Sequence, residues 1–312
     1  SLKEDPNFAE ANAAYADFLM MKGKPKQAID YYKQAILIAP KFMTDNNFYL
    51  GQAYKLDAQY ENAKQSFLNF LKFDRINPNL KTEAEKEVKN ADFAINLIKN
   101  PKPFKPINVG PGINTEHGEY FPAISADGKQ FMFTRAIPRK DIVGAFNEDF
   151  YMSYREKNTW QQAFPLTDIN SYGNEGAPTL SADGNIMFFA SCSDEFGDYG
   201  GQDRKGYGSC DIFYSQKING RWSKPRNGGS LINSKNWETQ PSFSSDGKTL
   251  YFIKGYTGRG PSAKDVDIYM SEIGDDGKFK QPIKLNSNVN SAGEEESVFI
   301  HPDNQTLYFS SE

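Results

Sequence analysis

The stretch Glu119-Tyr120-Phe121-Pro122-Ala123-Ile124-Ser125-Ala126-Asp127-Gly128 returns twice in the chain. Its second copy carries Glu175, Pro178, Ser181 and Asp183-Gly184; the third carries Glu238, Pro241, Ser244 and Asp246-Gly247. A degenerate fourth copy runs from Glu295 through Val298 to Asp303-Asn304. The turn aspartates stand 56, 63 and 57 residues apart, so the repeating unit is far longer than one hairpin. After each turn comes an aromatic run: Phe131-Met132-Phe133, Met187-Phe188-Phe189, Leu250-Tyr251-Phe252 and Leu307-Tyr308-Phe309. The first three copies continue into a third run opened by Asp149, Asp211 or Asp267. A turn then carries Trp160, Trp222 or Phe279, and a fourth element passes a proline to reach Asn170, Asn233 or Asn290. Short aromatic runs between Asp-Gly turns read as strands joined by tight hairpins.

Four short strands per unit, repeated along the chain, are the mark of a β-propeller blade. Residues 101–312 are therefore expected to form three full blades and the start of a fourth. Residues 103–114, with Ile107 and Asn114, match a fourth element that has no blade before it. They are expected as a strand closing a final blade that lies beyond Glu312. The motif Pro-x-x-Ser-x-Asp-Gly followed by an aromatic strand resembles the WD-like repeats of TolB-type propellers. The sialidase Asp box, by contrast, needs a residue between Asp and Gly. Here the pairs Asp127-Gly128, Asp183-Gly184 and Asp246-Gly247 are adjacent, so a sialidase reading fails on spacing.

Residues 1–100 follow a different rule. Ala16, Ala28, Tyr32 and Ala35 recur 35 residues later as Gly51, Ala63, Phe67 and Phe70, which is a helical-repeat period. Small residues at those places let paired helices approach closely. The first copy, Ala9 to Pro40 with Tyr15, Leu19 and Gly23, resembles a tetratricopeptide (TPR) repeat. The second departs from it, with Arg75 where a proline is expected. Residues 81–99 read as a terminal helix, and Pro101, Pro103 and Pro106 mark a linker that no helix can cross. Leu2-Lys3-Glu4-Asp5-Pro6 matches the tail of a preceding repeat, so both ends of the sequence are expected to fall inside repeats of a longer protein. The expected fold class is thus α + β multidomain: TPR-like helical hairpins over 1–100, then an all-β propeller over 101–312.

Charge and composition limit what this chain does. With 36 Lys and Arg against 40 Asp and Glu, the net charge is −4, without the basic excess of a nucleic-acid-binding surface. No apolar run approaches the ~18 residues of a membrane span. His117 and His301 have no metal motif around them, and no nucleophile elbow or phosphate loop is present. No catalytic residue, metal ligand or cofactor is therefore expected.

Two sets of residues stand out. Glu119, Glu175, Glu238 and Glu295 occupy matched positions, which would gather them at one end of a propeller channel. There they could ring a cation or a basic peptide, or each could cap the turns of its own blade. Cys192 and Cys210 flank the loop 193–209, where the distance from turn Asp to third-strand Asp is 28 residues against 22 and 21 in the other copies. They end one strand and begin its neighbour, so a disulfide is expected, contributing about 3 kcal/mol. Such a bond points to an oxidising compartment such as a bacterial periplasm.

TPR repeats followed by a TolB-type propeller resemble the OmpA-family lipoproteins of Bacteroidetes, above all the cell-wall-anchoring component of type IX secretion and gliding. The resemblance implies a non-enzymatic periplasmic scaffold, associated with the outer membrane, that binds protein partners of a secretion complex. It also implies a C-terminal OmpA-like domain, outside this sequence, as the only part that would touch peptidoglycan. The alternatives are the propeller portion of a prolyl-oligopeptidase-like peptidase and a glycan-binding propeller.

Overall fold

A computed structural model describes residues 5–41, 43–139, 141–201, 204–256 and 265–311; Leu2, Lys3 and Glu4 of the repeat tail lie outside them. The chain divides into two compact units, Ser1–Pro106 and Ile107–Glu312.

The first unit is five helices, α1 (Ala9–Met21), α2 (Pro25–Ile38), α3 (Asn46–Leu56), α4 (Tyr60–Phe70) and α5 (Pro78–Lys99), each packed on the next. Pro25 and Pro78 sit in first turns, where a missing N–H costs nothing, and the Asn77 side chain accepts the Asn79 N–H at 2.9 Å. The seams are made by small residues: Ala16, Ala28, Ala35, Ala53 and Ala63 are completely buried. At Gly51 a Cβ would lie 2.6 Å from the Phe67 ring, so any side chain there would push α3 off α4.

The second unit is built of antiparallel meanders. The first joins β1 (Gly118–Ile124), β2 (Gln130–Pro138) and β3 (Phe146–Glu156), with two-residue β4 (Thr159–Trp160) and β5 (Phe164–Pro165) along β3. The second joins β6 (Asn174–Leu180), β7 (Ile186–Cys192) and β8 (Cys210–Ile218), with β9 (Arg221–Trp222) and β10 (Arg226–Asn227). The third joins β11 (Trp237–Phe243), β12 (Thr249–Gly255) and β13 (Val266–Glu272), with β14 (Ile283–Lys284). A hairpin of β15 (Glu295–Ile300) and β16 (Leu307–Ser311) ends the unit. Met132, Phe150 and Met152 of the first meander share a buried cluster with Met187, Phe189 and Phe213 of the second. Phe188 and Ile212 then pack with Phe243, Leu250 and Phe252, and Ile253 and Ile268 pack with Val298. The faces stack in chain order with the first strands β1, β6, β11 and β15 adjacent, a propeller-like arrangement.

The fourth elements are shorter than the repeat pattern suggests. β5, β10 and β14 pair with the third strand over two residues each. Pro165, Pro225 and Pro282 stand in or beside them and cannot donate to a ladder. Beyond each of these short strands an asparagine substitutes for strand backbone. Asn233 accepts the Ile212 N–H and donates to the Ile212 carbonyl, both at 2.8 Å; Asn170 does the same to Phe150 and Asn290 to Ile268.

The segment 103–114, expected as a strand, forms none. Pro103, Pro106 and Pro111 remove three donors, and Phe104 and Ile107 stand exposed with no partner edge beside them among the described residues. Only its end is fixed. Gly110–Asn114 makes a turn, Ile113 is buried with Phe131 and Phe133, and Ala163 donates its N–H to the Gly112 carbonyl at 2.8 Å.

Candidate groove on the inner strands

Each first strand slips register against its neighbour at one place: between Tyr120 and Ala123, Gly176 and Thr179, Thr239 and Ser242, and Glu296 and Phe299. At these bulges Phe121, Ala177, Gln240 and Ser297 are left-handed, with φ of 50°, 53°, 48° and 56°. A non-glycine residue there costs about 1–2 kcal/mol. The next residue is Pro122, Pro178, Pro241 or Val298, and a proline inside a strand is tolerated at a bulge because no ladder bond is asked of it. Strain repeated four times on one wall is a feature of the site.

The four bulges line a cavity of about 680 Å³. Its wall is made of Phe, Pro, Ala, Val, Ile, Leu, Gly, Ser, Thr and Gln residues, and none of the lining side chains titrates. Several polar groups on this wall already stitch neighbouring strands together. Thr179 Oγ1 accepts the Phe243 N–H at 3.1 Å, Ser242 Oγ the Ile300 N–H at 2.9 Å, and Gln240 Oε1 the Ser297 N–H at 2.5 Å.

The matched glutamates lie off this wall in their own repeats, Glu175, Glu238 and Glu295 completely buried and Glu119 half-buried. Glu119 accepts the Thr115 N–H and hydroxyl at 3.2 and 2.5 Å, and Glu238 those of Ser234 at 2.8 and 2.5 Å. Glu175 takes the Ser171 N–H at 3.1 Å and its hydroxyl, and Glu295 the Ser291 hydroxyl at 2.6 Å. Three also meet a cation: Arg135 at Glu119, Arg204 at Glu175 and Lys254 at Glu238. Burial pushes the Glu175 carboxyl above its usual range, while Arg204 and Ser171 pull it back. No group of three or more His, Cys, Asp or Glu that could hold a metal ion occurs among the described residues. His301 takes the place that Ser125, Ser181 and Ser244 hold in the other turns, and its Nδ1 accepts the Asp303 N–H at 3.2 Å.

Cys192 and Cys210 are direct partners across β7 and β8, and their sulfurs are bonded. The loop they close carries Tyr199, buried against Phe213, and Arg204, which reaches Glu175. Sequence reasoning missed the three cations and the bulges. Part of the signal was present: Arg135 and Lys254 each stand sixteen residues after a matched glutamate, where the other two copies carry Ser191 and Ser311, and a proline recurs inside three strands.

No protein-family model matches the chain, and no curated protein matches it. Among solved structures, a protein of Agrobacterium tumefaciens described as TolB is 18% identical, matching 64% of this chain and 61% of its own, with a TM-score of 0.39. The β-propeller domain of the trilobed protease from Pyrococcus furiosus is 10% identical over 54% of this chain and 43% of its own, at 0.35. A puromycin-hydrolyzing peptidase of Mycobacterium tuberculosis is 13% identical over 67% and 37%, also at 0.35. The chain thus spans under two thirds of each of these structures, and likenesses this weak leave function to the residues. No helix among the described residues is long and apolar enough to cross a membrane.

Proposed function

We propose that the chain is a non-enzymatic scaffold whose propeller of four-stranded blades binds protein partners through the inner-strand groove, and whose helices form TPR-type hairpins. The observation that carries this reading is the groove wall: about 680 Å³ of largely apolar space without a titratable side chain. General acid–base or nucleophilic chemistry needs a proton acceptor within hydrogen-bond reach, and a serine without one is a poor nucleophile. An apolar wall with a few fixed polar groups instead suits an apolar polypeptide segment. The Cys192–Cys210 bond is in keeping with an oxidising compartment, and so with a periplasmic place beside the outer membrane. The repeat resemblance then suggests a type IX secretion or gliding complex as the partner, tethered to the cell wall through an OmpA-like domain outside this sequence.

Affinity capture from envelope extracts tests the reading, comparing the wild-type chain with Phe299→Arg and Ala126→Arg. Both positions are exposed on the groove, so the fold should survive the change. Capture of outer-membrane proteins by the wild type, lost in both variants, is expected. An unchanged set of partners in the variants, or none with the wild type, contradicts it.

A further inference from the structure

The groove of the four bulges meets charge at one end. Gly128 lines both it and a second cavity of about 450 Å³, whose other lining residues are Asp127, Lys129, Arg155, Lys157 and Asn158. Asp127 and Lys129 lie in the turn from β1 to β2, while Arg155 stands near the end of β3 with Lys157 and Asn158 in the turn to β4. The Arg155 N–H donates to the Lys129 carbonyl at 2.8 Å and ties the two segments together. Lys157 and Asn158 are both left-handed, with φ of 46° and 67°, as the two-residue turn of a tight hairpin requires. Backbone geometry thus sets this wall.

Three cations stand on the wall against one carboxylate. Asp127 is occupied within its own turn, accepting the Ser125 hydroxyl at 2.6 Å and the Lys129 N–H at 3.0 Å. The Lys129 ammonium stays 3.9 Å from it, and neither Arg155 nor Lys157 has a carboxylate partner among the described residues. The Arg155 guanidinium lies over the Trp160 ring, 5.5 Å from its centroid. This concentration is peculiar to the first copy. The matched positions carry Asn185, Lys217 and Asn219 in the second and Lys248, Ile273 and Asp275 in the third. Of these, Lys217 is already engaged, donating to Gln130 Oε1 at 2.7 Å and lying over the Trp222 ring.

We propose that the polypeptide segment taken by the groove carries aspartate or glutamate side chains where it leaves the apolar wall at Gly128, and that Lys129, Arg155 and Lys157 receive them. This rests on the groove being a binding site for an apolar segment. A wall without a titratable side chain gives its occupant no direction. Cations at one end do, because they fix which end of the segment lies there and favour an acidic partner over a neutral one. The guanidinium fork of Arg155 and the two ammonium groups are the donors a carboxylate takes best.

Two pools of end-blocked peptides test this on the immobilised 312-residue chain. Each peptide is a run of random apolar residues, followed by Asp-Asp in one pool and by Asn-Asn in the other. The acidic pool should be retained about tenfold more strongly, the order expected of a pair of exposed ion contacts, and the preference should shrink as salt rises. Arg155→Gln with Lys157→Gln should abolish the preference and leave retention of the neutral pool unchanged; both side chains are exposed, so the fold is not at risk. Equal retention of the two pools, or a preference that survives the double variant, overturns the proposal and leaves the groove as a neutral apolar site. Retention of neither pool overturns the groove as a binding site along with it.

Discussion

Arg204 is the residue whose removal reports most sharply on the repeat. It is the counter-ion of a completely buried Glu175, so Arg204→Ala strands a charge in the interior and should cost about 3–5 kcal/mol in urea unfolding. Arg204→Ala combined with Glu175→Gln should cost clearly less, because the stranded charge is then gone. Asp303 gives a second residue-scale prediction. The N–H groups of Gln305 and Thr306 hold its carboxyl at about 2, against an ordinary 3.8. A depressed carboxyl stabilises the fold above its unfolded value. The turn should therefore be intact above pH about 4 and lose its support as pH falls towards 2, read by amide exchange at Gln305 and Thr306. Residues of this kind were only half legible in the sequence. Glu119, Glu175, Glu238 and Glu295 announced themselves by recurrence. Arg204 did not, because it sits in a loop that is longer than its counterparts in the other copies and so has no matched position there.

Elements built on repetition were legible, and elements built on compensation were not. The hairpins follow from Ser-x-Asp-Gly, since Gly128, Gly184 and Gly247 take φ of 67°, 68° and 70° and the serine hydroxyl bonds its aspartate. The fourth elements are harder to read, because the ladder gives way to Asn170, Asn233 and Asn290, which pair as side chains what a strand would pair as backbone. The missing strand at 103–114 has the same origin, a pattern match in a segment with three prolines and no partner edge among the described residues. Two predictions belong at this scale. Cys192→Ser with Cys210→Ser should cost about 3 kcal/mol by loop entropy, and less in a Glu175→Gln background, because the loop also delivers Arg204. Gly51→Val should cost about 1–3 kcal/mol by driving α3 from Phe67, measured as loss of helical signal on heating.

At the scale of the whole molecule, the chain divides into two compact units, Ser1–Pro106 and Ile107–Glu312. The groove was not visible in the sequence. It arises when four first strands come side by side, each turned by a bulge; the only trace is a proline inside three of them, Val298 standing in the fourth. The proposed function places a protein partner in this groove. The most direct measurement is site-specific photo-crosslinking from position 299 in envelope extracts, with Ala126→Arg as the blocked control. A discrete outer-membrane protein crosslinked by the open groove and absent from the blocked one is the predicted result. Crosslinks indifferent to Ala126→Arg, or none at all, would contradict the account.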